Sequence, residues 1–357
     1  MVGIGEEVVC IISETCSCFF VPQIFADVRR YIQFDFAKNN KMKAFTRKQY
    51  CAPDKMQLTE IEKPDVQDGF VLVKVLANSA NPADWHICRG APIFSRFVLG
   101  LFKPKNPIVG VDFSGVVEAV GQQVHNIKPG DAVFGESLVG GAFAEYILIP
   151  ESACAHIPTG IAPEIMAALP VAALTAYQAL LTHGKLQSGE QVCINGASGG
   201  VGHFAVQIAK AYGAHVTGIC SQNNADFVKS LGADVVITYD TTDIHQYKGS
   251  FDLVIDTHGN LNLSDYMRMG KRGVMTGFTT MGHMMRVLIM RMMKGYPLAQ
   301  FTAAANTQDL NTLAELVASG KIAPHIQKTY SYTEIPAAVA GLEAMRTRGK
   351  VVMRWDI

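Results

Sequence analysis

The sequence lacks a charge excess: 31 lysines and arginines stand against 31 aspartates and glutamates over 357 residues, with no long basic run. Nothing in that balance suits a nucleic-acid backbone or a polybasic membrane patch, so a small molecule is the expected partner. Paired cysteines are lacking too. The eight cysteines, at positions 10, 16, 18, 51, 88, 154, 193 and 220, form no C-x-x-C pair and stand at no zinc-like spacing from histidine, which speaks against a zinc site and fits a reducing compartment best. A long uninterrupted apolar run is also missing. Residues 8–12 and 18–21 are apolar but split by Glu14, and Glu6 and Glu7 occupy the flank where a secretory signal is positive, so no integral membrane segment is expected. The only arginines of residues 1–41 are Arg29 and Arg30, while Glu6, Glu7, Glu14, Asp27 and Asp35 are acidic, a poor match to a transit peptide. Residues 1–41 read as an extension of unknown use on a cytoplasmic protein, with organellar targeting left open.

With 49% hydrophobic and 17% charged residues, the chain can build two globular cores. Its organising stretch is QVCINGASGGVGHFAVQIAKAY, from Gln191 to Tyr212. A short β-type run is followed by glycines, then by apolar residues at helical spacing in Val201, Phe204, Ala205, Ile208, Ala209 and Tyr212. Glycines at such a turn let a diphosphate approach the backbone and the first amides of the helix. Gly199 would admit the pyrophosphate, and Gly202 would let helix and strand pack closely. The first glycine of the dinucleotide fingerprint is missing: Ala197 stands there and Gly196 precedes it. A tight loop with no ligand is the plainer alternative. Two further strands, at residues 215–220 and 235–237, flank a helix at residues 224–231 and complete a mononucleotide-binding half. No Asp or Glu closes the second strand, where Cys220, Ser221, Gln222 and Asn223 stand, so NADPH is favoured over NADH.

Ahead of this unit lie short β-like runs, the strongest at residues 69–76, 113–120 and 143–149, with a turn at Lys128-Pro129-Gly130-Asp131. The segments Asn81-Pro82-Ala83-Asp84-Trp85, residues 128–135, Gly140-Gly141-Ala142-Phe143-Ala144-Glu145-Tyr146, residues 169–176 and the glycine turn occur in this order. In this the chain resembles the medium-chain dehydrogenase/reductases, and most of all their zinc-free, quinone oxidoreductase-like branch. The resemblance covers about residues 42–355. It implies an α/β fold in which a GroES-like β domain (residues 42–168 and 306–357) holds a Rossmann domain with a doubly wound parallel sheet (residues 169–305). It also implies a linking helix over residues 169–181 and leaves room for a homodimer.

Zinc enzymes of that superfamily carry a Gly-His-Glu motif, an earlier catalytic cysteine and a four-cysteine cluster. Here the first reads Gly110-Val111-Asp112, and the early position falls within Asn81-Pro82-Ala83-Asp84. The resemblance therefore implies an NADPH-dependent, zinc-independent reductase of a quinone or an α,β-unsaturated carbonyl. A zinc-free alcohol or aldehyde oxidoreductase and a nucleotide-binding protein with a non-catalytic role are the alternatives. Asn81 is expected to face nicotinamide or substrate and His86 to donate a proton. A turn asparagine and a structural histidine are the plainer readings, and Asp84 reads as a turn former.

For the cofactor, the resemblance points to Thr175, Ser198, Gly199, Gly200, Val201, Gly202, Ser221, Asn224, Tyr239, Gly277 and Phe278. A basic residue usual near Asn224 is absent, so Arg346, Arg348 or Lys350 is expected to supply that charge. Thr175 could instead bond its own helix, and Tyr239 could be a surface aromatic. Residues 281–293, rich in methionine, read as a packed helix, with cover for a bulky apolar substrate as the alternative.

Overall fold

The computed structural model describes residues 41–278 and 280–356, so the expected extension lies, but for Lys41, outside the described residues. The β-branched runs before the glycine turn form β1 (Lys41–Thr46), β2 (Gln57–Glu62), β3 (Phe70–Ala80), β4 (Asp112–Val120), β5 (Ala132–Glu136), β6 (Tyr146–Pro150) and β7 (Cys154–His156). Helices α1 (Pro82–Arg89), α2 (Arg96–Leu99), α3 (Pro163–Ala167) and α4 (Pro170–Tyr177) accompany them. The expected linking helix is thus α4, which runs on as a π-helical turn over Gln178–His183.

From the glycine turn onward the chain alternates. Strands β8 (Gln191–Asn195), β9 (His215–Cys220), β10 (Val235–Thr238), β11 (Phe251–Asp256), β12 (Gly270–Met275) and β13 (Leu298–Gln300) are interleaved with α5 (Gly202–Ala211), α6 (Ala225–Ser230), α7 (Leu263–Met269) and α8 (Met281–Lys294). The chain closes with α9 (Thr307–Ala318), β14 (Ile326–Ser331), α10 (Ile335–Leu342) and β15 (Lys350–Arg354).

Two larger sheets result. In the first, the order is β14-β15-β3-β4-β5-β7, with β6 also on β3. The end of the chain returns to its beginning, because β15 pairs antiparallel with β3, Val351 opposite Ala80. The second sheet runs β10-β9-β8-β11-β12-β13, every neighbouring pair parallel. Strand order reverses between β8 and β11, and that switch point is where a doubly wound sheet leaves a crevice at its carboxyl edge.

Side-chain alternation along β8 puts Val192 and Ile194 in a core with Phe204 and Ile208 of α5 and Leu310 and Leu313 of α9. Cys193 faces the opposite core with Tyr266 and Met269 of α7. Each such side chain stabilises the fold by about 1.5–3 kcal/mol when fully buried. Cys193 and Cys220 are buried free thiols, as the strand pattern predicts. The methionine-rich stretch does form a helix, α8, but among its residues only Val287 is buried. It covers the second core with one edge and carries Met285, Ile289, Met290, Met292 and Met293 on the surface. No helix among the described residues is long and apolar enough to cross a membrane.

Candidate active site

A cavity of about 520 Å³ lies at the switch point, lined by the turn after β8, the ends of β9 and β11, the start of α1 and the segment before β15. Its floor is the glycine turn. Gly196 holds φ +79°, a left-handed conformation that glycine adopts without strain, just ahead of Ala197. Ala197 tolerates the missing glycine because Gly218 on β9 lies opposite: a Cβ there would sit 3.0 Å from the Ala197 methyl.

A Cβ on Gly199 would meet only the Gly196 carbonyl, at 3.4 Å, and one on Gly200 would meet only the Gly349 carbonyl at 3.5 Å and the Lys350 chain at 3.8 Å. The space above both is therefore open, a cradle that a side chain would fill and a diphosphate fits. Gly202 serves packing instead, since a Cβ there would lie 2.1 Å from the Gly196 oxygen. Ser198 and Val201 also line the cavity.

At the outer end Ser221, Asn224, Tyr239 and Arg346 line the cavity. Asn224 Nδ2 donates to Ser198 Oγ at 3.1 Å. Arg348 Nε donates to Asn224 Oδ1 at 2.5 Å and its Nη2 to the Asn223 carbonyl at 2.6 Å. The segment before β15 thus brings the Arg348 guanidinium to the residues that follow β9, while Arg346 joins the cavity lining and Arg348 does not. Asp240 also reaches this corner, but both its oxygens accept from the Gln222 amide at 3.0 Å.

Lys350 does not join that corner. Its side chain is 2% exposed, and Nζ donates to Asn81 Oδ1 at 2.5 Å and to Asp112 Oδ2 at 3.4 Å. This corrects the sequence expectation for Lys350, because the register of β15 on β3 carries its amine to the inner end of the cavity. Asn81 is held at both ends, its Nδ2 donating to Asp112 Oδ2 at 2.8 Å. A lysine only donates and a carboxylate only accepts, so the amide has one orientation. Ser79 Oγ and the Val171 amide bring two more donors to Asp112, at 2.7 and 3.0 Å. Asp84 caps α1 by accepting from the Asn81 amide at 2.7 Å, the turn role predicted for it.

Two further acids were not foreseen as members of this group. Among the described residues, Glu136 makes no well-formed hydrogen bond with either oxygen, nor does Asp84 through Oδ1. Burial pushes both carboxyls up to about 8, with the Asp112 charge adding to the rise. Burial in turn lowers the Lys350 ammonium, and the acids around it partly restore it.

The other predicted residues lie around this frame. Thr175 Oγ1 donates to the Val171 carbonyl of its own helix at 2.7 Å and is not in the cavity lining. His86 stacks on Trp85 with centroids 3.6 Å apart and comes within 6.3 Å of the Phe278 ring. Burial lowers its pKa, and Nδ1 lies 3.1 Å from the Ala91 carbonyl. A neutral ring that donates there keeps only a lone pair on Nε2, so the geometry weighs against His86 as a proton donor. Gly277 passes under Gly259, where a Cβ would sit 2.2 Å from the Gly277 oxygen. The switch point is fastened by Asp256, which accepts from Asn195 Nδ2 at 2.8 Å and from the amides of Gly259 and Leu261 at 2.8 and 3.0 Å.

The buried acids set a pH dependence. Asp84 and Glu136 hold protons in the folded chain up to about pH 8 that the unfolded chain releases near 3.8 and 4.5. Their contribution to stability is complete below those lower values and is lost as pH rises towards 8. Buried His203, lowered to about 3 from 6.5, works the other way, but only below pH 6.5. Lys350 opposes the acids only as pH approaches its own lowered value. Stability is expected to fall between pH 6.5 and 8, and Glu136→Gln should make the fall shallower by about 1.4 kcal/mol per pH unit. Denaturant melts across that window give the test. Parallel profiles for the two proteins would mean that Glu136 is already ionised at neutral pH.

Comparison with known proteins agrees with this architecture. Residues 67–159 match the alcohol dehydrogenase GroES-like domain family and residues 231–353 the zinc-binding dehydrogenase family. The chain belongs to the medium-chain dehydrogenase/reductase family and is an NAD(P)H-dependent oxidoreductase of it.

It is 33% identical to the trans-enoyl reductase pgmF of Aspergillus terreus (strain NIH 2624 / FGSC A1156), over 80% of this chain and 86% of that one. It is 32% identical to the mitochondrial NAD(P)H oxidoreductase RTN4IP1 of Bos taurus, over 79% and 81%. Among solved structures, the quinone oxidoreductase from Coxiella burnetii superposes with a TM-score of 0.79 at 28% identity, covering 88% of this chain and 99% of that one. The zinc in one family name meets no ligand set here: among the described residues, no three of His, Cys, Asp or Glu lie together so as to hold an ion.

Proposed function

We propose that this oxidoreductase reduces quinones or α,β-unsaturated carbonyls with NADPH and does so without zinc. The observation that carries the reading is the Lys350–Asn81 pair in the cavity lining, a buried cation bonded to an amide at 2.5 Å. NADPH, when bound, supplies a hydride to the conjugated system, and the electron pair moves to the carbonyl oxygen. That oxygen needs a fixed positive partner in a site shielded from water, and Lys350, kept in place by Asp112, is such a partner. Solvent then completes the protonation. The names of the relatives, an enoyl reductase and a quinone oxidoreductase, support the substrate class.

For the cofactor, Gly199 and Gly200 would take the diphosphate. Ser221, Tyr239, Arg346 and Arg348 would surround the adenosine 2′-phosphate, where the guanidinium groups favour a dianion. Asn224, bonded to both Ser198 and Arg348, ties the two regions together.

The direct test is NADPH oxidation measured against a panel of quinones, alkenals and simple aldehydes, with and without chelator. Turnover of simple aldehydes alone, or loss of turnover in chelator, would overturn the reading. NADPH is expected to bind more tightly than NADH. Ser221→Asp should reverse that order, a swing on the order of 1–3 kcal/mol from repelling the phosphate. Tighter NADH binding by the unaltered protein in a fluorescence titration would end the NADPH assignment.

A further inference from the structure

The segment that follows α1 has its polarity turned inside out. Over Ile93–Ser95 and α2 the chain makes short helical turns, which place Ile93 beside Phe97 and Phe94 beside Val98. The one cation in these turns faces inward: the Arg96 guanidinium lies 4.5 Å from the centre of the Tyr50 ring, and its Nε donates to the Gly90 carbonyl at 2.9 Å. The apolar side chains face water instead. Phe97 is 75% exposed and Phe102 90%, and Ile93, Phe94, Val98 and Leu101 are each more than half exposed.

This is a built surface rather than a loose one. Tyr50 Oη donates to the Gly100 carbonyl at 2.5 Å, and the Lys105 amide donates to the Leu99 carbonyl at 2.7 Å. The fold therefore holds three phenyl rings and three aliphatic side chains out in water, a contiguous stretch of the kind monomeric soluble surfaces avoid.

Charge indicates what covers it. Between Arg89 and Asp112 the sequence has no acidic residue, and Lys103 and Lys105 are exposed directly beside Phe102. An apolar face bordered by lysines without a counter-acid matches an anionic lipid surface, with rings in the acyl boundary and ammonium groups among the headgroups. Helix α8 has the same character: its exposed methionines are accompanied by Arg286 and Lys294, and no acid occurs between Asp265 and Asp309. The two segments start from neighbouring points, since His86 of α1 and Phe278, just ahead of α8, approach to 6.3 Å between ring centres.

We propose that residues 93–105 are a membrane-docking loop that seats the protein on an anionic bilayer surface without crossing it. The proposal does not depend on which substrate is reduced.

The test is flotation of the full chain with phosphatidylcholine vesicles, with and without phosphatidylglycerol. The protein should float with the anionic vesicles and be released by salt. Phe97→Ser with Phe102→Ser should lower partitioning by about tenfold or more, the effect of losing the burial of a phenyl ring. Lys103→Gln with Lys105→Gln should lower it severalfold on anionic vesicles only. Both pairs are exposed, so thermal melting and NADPH binding should be unchanged. Three outcomes would overturn the proposal. They are no flotation of the unaltered chain, flotation undiminished by the double serine change, and a dimer in sedimentation that the serine changes dissociate without any vesicle binding. The last would assign the face to a second copy.

Discussion

Gly199→Val is expected to abolish NADPH binding while the protein folds as before. The Cβ itself is tolerated, because, its own chain neighbours aside, the Gly196 oxygen at 3.4 Å is the one protein atom within 4 Å. The two methyls beyond it enter the open space over the turn, where a diphosphate would lie against the backbone. Affinity should drop by about a hundredfold or more, as follows if roughly 3 kcal/mol of contact is blocked. Gly202→Ala is the contrasting change. Its Cβ would overlap the Gly196 oxygen at 2.1 Å and approach the Ala197 Cα to 2.8 Å, so it should destabilise the fold. Fluorescence titration with NADPH and thermal melting of both variants separate the two effects. Unchanged NADPH affinity in Gly199→Val would make the turn structural only, and the cofactor reading would fall with it.

The glycine turn was legible in the sequence because its constraints are local. A strand, a left-handed residue and a helix start within a dozen positions, and one missing glycine was offset by Gly196 just before it. Strands β8, β9 and β10 were legible for the same reason, each from its own short apolar run, whereas β13, Leu298–Gln300, has no β-branched residue to announce it. The inner end of the cavity was not. Lys350 and Asn81 are 269 residues apart and meet only because β15 lies against β3. In sequence, Lys350 groups with Arg346 and Arg348, and so it was expected beside them.

Glu136 was missed for a related reason. It is the direct cross-strand partner of Asp112 between β4 and β5, just as Ser79 is between β3 and β4, and register is not written in either strand alone. An acid opposite an acid in a buried sheet is unfavourable unless one is neutral or a cation lies between. Here both remedies are present. The methionine-rich stretch was legible only in part: α8 does pack on the second core, through buried Val287 and half-buried Met284 and Leu288, but most of its other apolar side chains face outward.

The largest stability effect is expected from Lys350→Met. Lys350 is the cation of a buried group that contains Asp112, Asp84 and Glu136, and its loss leaves Asp112 charged and short of a donor. Removing one partner of a buried pair costs about 3–5 kcal/mol, most of it from the stranded charge rather than from the lost bond. Lys350→Met with Asp112→Asn should therefore be more stable than Lys350→Met alone, since the stranded charge is gone. Urea denaturation of the unaltered chain, both single variants and the double variant measures this directly. A cost below about 1 kcal/mol, or strictly additive changes, would show that Lys350 does not neutralise Asp112. Activity gives an independent readout. If the Lys350 ammonium faces the oxygen that gains charge, the folded fraction of Lys350→Met should lose turnover with a quinone by on the order of a hundredfold. Its NADPH affinity should stay near that of the unaltered chain, because Gly199, Ser221 and Arg348 are untouched. Equal loss of NADPH affinity and turnover would instead place Lys350 against the cofactor, and the oxyanion role would have to be given up.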